Sequence, residues 1–102
     1  MEHKQVASLL GALSLPDRLN ILETLVACAP SDIGQQEIQE KTGLSPATIQ
    51  VQAEALSNSE LIFLKIDGLD RTYSANTKLI NKLFSYTFET YSLGSKLKNE
   101  DQ

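Results

Sequence analysis

Gln50 and Asn58 each carry a primary amide, a group that donates and accepts at once and can pair with the major-groove edge of adenine. In the same stretch Ala47 and Val51 offer apolar contacts suited to the methyl group of thymine, and the hydroxyls of Ser45 and Thr48 can reach phosphate oxygens. Glu54 can accept from the amino group of cytosine but repels phosphate. These residue types could read bases, yet no Lys or Arg occurs between Lys41 and Lys65, and duplexes are held largely by cations on phosphates. Lys65 and Arg71 follow, with Asp67 and Asp70 between them, so that span is neutral. They could form a phosphate clamp or simply a solvated mixed-charge hairpin that discourages edge pairing.

The remaining reactive groups exclude more than they offer. A single cysteine, Cys28, rules out an intramolecular disulfide and a thiolate-rich metal site. It reads as a small buried hydrophobe near a helix end, with a thiol-reactive sensor as the alternative. His3 is the only histidine and lies close to the N-terminus, so no nucleophile–base pair can be assembled. No enzymatic activity, metal or cofactor is expected. Thirteen acidic residues stand against 9 basic ones, a net charge of −4 in 102 residues, which argues against general affinity for nucleic acid or membrane surfaces. The apolar runs are too short to span a bilayer, and nothing of signal-peptide character follows Met1, so a cytoplasmic protein without a membrane partner is expected.

The elements that must position these groups are legible from periodicity. Val6, Leu9, Leu10 and Leu13 form the stripe of a first helix, about Lys4 to Leu13. Ser14-Leu15-Pro16-Asp17 has the form of a cap, with Ser14 opening a second helix that ends before Pro30 and buries Leu19, Leu22, Leu25 and Val26. Ser31 and Asp32 can cap a short third helix, Gln35 to Thr42, and Gly43 stands where a left-handed residue is wanted. Ser45 and Pro46 then start a fourth helix running to about Asn58, whose inner face is Ile49, Ala53 and Leu56. Two helices joined by three residues including Gly make a helix-turn-helix. Leu61 to Ile66, the turn signal Asp67-Gly68 and Leu69 to Ser74 predict a hairpin. From about Asn76 to Tyr91 a last helix is apolar over more than one stripe, through Leu79, Ile80, Leu83, Phe84, Tyr86, Phe88 and Tyr91.

In this order the chain resembles the ArsR-type (arsenical-resistance repressor) family of winged helix-turn-helix regulators. The likeness is carried by Ala12 to Leu22, with its Leu, Pro and Arg-Leu-x-Ile-Leu run, by Gln36 to Ile49, and by Leu56 followed by Leu61-Ile62, over about Lys4 to Tyr91. The resemblance implies a homodimer formed through the first and last helices, and a repressor released by a small signal. It does not extend to metal sensing: Ile33-Gly34-Gln35-Gln36 stands where the family's Cys-x-Cys site would fall, and the last helix contains no His and only Glu89. A Lys common at the position of Glu54 is also missing.

The fold expected is therefore mainly α with a small β-hairpin, a winged helix-turn-helix of five helices and a two-stranded wing. Residues 1–93 form the domain and its dimerisation helices, and 94–102 a polar, disordered tail. The function expected is a homodimeric transcriptional regulator, a repressor, that binds duplex DNA. Its recognition residues are Ser45, Ala47, Thr48, Gln50, Val51, Glu54 and Asn58, with Lys65 and Arg71 on the wing. Its dimer contacts are Leu9, Leu10, Leu13, Leu79, Leu83, Phe84 and Phe88. The alternative is a winged-helix module that pairs with another protein and does not itself bind DNA.

Overall fold

Residues 1–92 are described by a computed structural model, in the order α1 (His3–Ala12), α2 (Pro16–Cys28), β1 (Ile33–Gly34), α3 (Gln35–Thr42), α4 (Pro46–Asn58), β2 (Ile62–Asp67), β3 (Asp70–Ala75) and α5 (Thr77–Tyr91). Five helices and a small antiparallel sheet make a winged helix-turn-helix. The expected tail, 94–102, lies outside the described residues. Among the described residues no helix is long and apolar enough to cross a membrane.

One core joins the elements. Ile21, Leu22 and Leu25 of α2, Ile38 of α3, Ile49, Ala53 and Leu56 of α4, Ile62 and Tyr73 of the sheet, and Ile80 and Leu83 of α5 are all buried. The inner face of α2 differs from the expected one. Leu22 and Leu25 are inside, but Leu19 and Val26 are exposed and Ile21 takes their place. The helix is apolar on adjacent faces, and the strongest packing partners, α4 and β3, select the Ile21 side.

Two expected caps are also replaced. Ser14 does not open α2, whose N-cap position is Leu15; its hydroxyl donates to the Gly11 carbonyl at 2.7 Å and so closes α1 instead. Ser31 and Asp32 do not cap α3, because Ile33 and Gly34 are drawn into a sheet: β1 pairs with β3 through Ile33–Tyr73 and Gly34–Thr72, and Gly34 becomes the N-cap. The wing hairpin is thus two strands of a three-stranded sheet ordered β1-β3-β2.

The connections agree with their residues. Gly43 has φ 75°, the left-handed end of α3, and the wing turns at Gly68-Leu69 with Gly68 at φ 65°, as a two-residue hairpin with Gly in its first central position requires. After α4 the chain forms a Schellman motif: Glu60 N–H donates to the Ser57 carbonyl at 3.0 Å and Leu61 N–H to that of Leu56 at 3.1 Å. The left-handed position is held by Glu60, at φ 64°, and its carbonyl accepts from Asn76 Nδ2 at 2.8 Å. A residue with a Cβ is strained there. Glu60→Gly is expected to stabilise the fold by about 0.5–1 kcal/mol, read as a higher urea midpoint at unchanged slope. A lower midpoint would show that Glu60 is held by more than its backbone.

Candidate nucleic-acid interface

Helix α4, the expected recognition helix, is built from its cap inward. Ser45 Oγ accepts from the Thr48 N–H at 3.2 Å and its hydroxyl donates to Thr48 Oγ1 at 2.9 Å, while Pro46 occupies the first turn, where its missing donor costs nothing. Ile49, Ala53 and Leu56 are each 0% exposed. At 100° per residue this leaves Ala47, Gln50, Val51, Glu54 and Asn58 on the far side, and all five are exposed. Thr48 is half-buried and engaged in the cap, so of the expected polar set the amides of Gln50 and Asn58 and the carboxylate of Glu54 are the groups left free among the described residues.

Gln50 faces a cleft of about 510 Å³ shared with Gly34, Gln35 and Gln36 at the start of α3 and Leu69, Asp70, Arg71 and Thr72 of the wing. Gln35 and Gln36 were not foreseen as site residues. Their amides join that of Gln50 because β1 anchors the start of α3 to the wing, a two-residue pairing that leaves no sequence signal.

The wing separates its two cations. Lys65 is opposite Thr72 and Arg71 opposite Ile66, and cross-strand partners share a face while neighbours alternate. Arg71 therefore lies on the face of Leu64 and Tyr73, opening into the cleft, whereas Lys65 lies on the outer face with Phe63, Asp67 and Asp70. A clamp made by both on one phosphate is not available. At the tip Leu69 is 102% exposed.

The residues expected at a dimer interface also divide. Leu9, Leu13 and Leu83 are closed inside the chain's own core and Leu79 is half-buried; they hold the terminal helices to the domain and offer little surface. Leu10, Phe84 and Phe88 are exposed, together with Tyr91, which meets Tyr86 edge-on at 6.4 Å. Phe84 and Ile80 of α5 face Leu19, Leu22, Val26 and Ala27 of α2 across an apolar groove of about 430 Å³ rimmed by Glu23 and Asn81. Cys28 is half-buried against the core, and among the described residues no three His, Cys, Asp or Glu side chains are placed to hold a metal.

A scan against protein-family models and a search of curated proteins found no match. Solved structures match over most of the chain. An ArsR-like transcriptional regulator from Rhodococcus sp. RHA1 is 23% identical with a TM-score of 0.69, covering 96% of this chain and 87% of that one. The transcriptional repressor BigR from Xylella fastidiosa is 23% identical with a TM-score of 0.68, covering 84% and 85%. A homodimeric winged helix-turn-helix DNA-binding domain from Mycobacterium bovis is 23% identical with a TM-score of 0.66, covering 97% and 85%. The chain has the winged helix-turn-helix fold of these structures.

Because Ser45 is both a candidate phosphate contact and the cap of α4, its two roles can be separated. Ser45→Ala is expected to cost about 1 kcal/mol in urea unfolding and Ser45→Asp little. No loss in Ser45→Ala would mean that the cap contributes nothing.

Proposed function

We propose that this protein is a homodimeric, sequence-specific transcriptional regulator, acting as a repressor, that sets α4 of each subunit into successive major grooves of duplex DNA. The observation that carries this reading is the exposed row of Ala47, Gln50, Val51, Glu54 and Asn58, standing beside a cleft that Arg71 of the wing shares with Gln50. Amides and methyl groups are the chemistry of base edges, and Arg71, which lines the same cleft as Gln50, is the wing cation assigned to a flanking phosphate. Fold neighbours described as a transcriptional repressor and as a homodimeric DNA-binding domain support the same reading. No metal-sensing site forms part of it.

Self-association rests on the apolar groups that the chain does not cover itself: Leu10 at 41% exposure, Phe84 at 48% and Phe88 at 73%. Phe84→Ala is expected to weaken association by roughly 2 kcal/mol, seen in sedimentation as a shift of the monomer–dimer midpoint and as concentration-dependent melting. Light scattering that gives a monomer at tens of micromolar would remove the dimer.

A second reading draws on a specific observation, the apolar exposure of Val51, Phe63, Ile66 and Leu69 among the acids Glu54, Asp67 and Asp70. Poor in cations and partly apolar, the outward residues of α4 and the wing also suit a protein partner. Binding of random duplexes across a salt series separates the two. A regulator binds at low salt with a steep slope; Glu54→Lys raises affinity for all duplexes and steepens the slope by about one ion, and Gln50→Ala loses roughly 1–3 kcal/mol of discrimination between sequences. No binding by the wild type at low salt, with neither variant changing it, would leave the protein-partner reading.

A further inference from the structure

Arg18 stands in the first turn of α2, half-buried, and its guanidinium bridges two other helices. Its Nε donates to Gln52 Oε1 on α4 at 2.8 Å, and its Nη1 donates to the carbonyl of Ala12, the last residue of α1, at 3.3 Å. Among the described residues the Arg18–Gln52 contact is the one side-chain pair hydrogen-bonded across the tertiary structure; the other two pairs join residues three or four apart. Both acceptors are neutral. The carbonyl belongs to the negative end of α1, whose last turn has no basic residue of its own, so Arg18 supplies that cation from α2.

The place of Gln52 on α4 gives this contact its consequence. Ile49, Ala53 and Leu56 anchor the helix through a narrow apolar stripe, and apolar burial has no direction, so it resists separation more than rotation about the helix axis. Gln52 lies on the flank, between that stripe and Val51 on the outward face. A directional bond there fixes rotation. With side chains reaching roughly 5–6 Å from the axis, a turn of about 20° moves an outward amide by about 2 Å, enough to lose a hydrogen bond to a base edge.

We propose that Arg18, with Gln52, is a positioning pair that pins the rotation of α4 against the end of α1, and that base discrimination by Gln50 and Asn58 depends on it. The proposal rests on the DNA-binding reading. A guanidinium is needed because it donates along two fixed directions at once, which a lysine ammonium on a flexible stem does not reproduce.

The test uses the full chain and the variants Arg18→Lys, Gln52→Met and the double variant. In amide NMR spectra Gln52→Met should shift Ala12 and Leu13, which are 40 and 39 residues away along the chain but adjacent through Arg18, together with Gln50 and Val51. On a duplex selected by the wild type from a random pool, each single variant should lose roughly tenfold in affinity, and the double variant no more than either. Affinity for unselected duplex and its salt slope should stay within about twofold, because the phosphate contacts are untouched. Unmoved Ala12 and Leu13 amides, losses that add in the double variant, or equal losses on selected and unselected duplex would each overturn the positioning role. A wild type that selects no duplex fails the regulator reading instead, and the amide shifts then decide alone whether the clasp exists.

Discussion

The docking of α4 through Ile49, Ala53 and Leu56 is the constraint on which the rest depends. All three are closed to solvent, and Ala53 allows the helix to lie close to α2 and β2 where a larger side chain would hold it off. A stripe this narrow leaves more than half of the helix circumference outside. The outward face is whatever remains, so the identity of its residues is free of any packing duty. That is why Gln50, Glu54 and Asn58 can be polar and why Val51 can be exposed without cost to the core.

Electrostatics then limit what that face can do. Duplex DNA gives most of its affinity through phosphates, and here α4 contributes no cation while the wing divides Lys65 from Arg71 by strand alternation. On the proposed reading, a protein arranged this way would depend on base-edge complementarity and on a second subunit more than on general attraction. Two weakly held copies of α4 in the proposed dimer would gain from effective concentration, which one such helix alone does not. The exposed phenylalanines of α5 and the reading face of α4 are therefore parts of one physical problem.

Rigidity between those parts is carried by few groups. Terminal helices α1 and α5 meet the domain through buried Val6, Leu9, Leu13, Ile80 and Leu83, and the polar ties are the Arg18 fork and the Asn76 side chain. Asn76 serves twice: its Oδ1 accepts from the Leu79 N–H at 3.2 Å as the cap of α5, and its Nδ2 donates to the Glu60 carbonyl at the end of α4. The middle of α4 and the turn that follows it are thus tied, through Arg18 and Asn76, to the end of α1 and the start of α5.

The sequence by itself determined the five helices, the hairpin and their chemistry. Leu spacing, Ser45-Pro46, Gly43 and Gly68 each act through local sterics or local hydrogen bonds, which need no knowledge of the rest of the chain. The outward set on α4 was legible for the same reason, since a fixed 100° step and three apolar positions leave one face. Tertiary structure decided what local rules leave degenerate. Ile21 displaced Leu19 and Val26 because α2 is apolar on adjoining faces and only its neighbours choose among them. Ser31 and Asp32 were bypassed because Ile33 and Gly34 gain partners on β3 that lie 38 or more residues away. The cleft that joins Gln50 to Arg71, the separation of Arg71 from Lys65, and the grip of Arg18 on Gln52 all depend on strand register and helix docking. Periodicity specifies which way a side chain points from its own element; only packing specifies what stands opposite it.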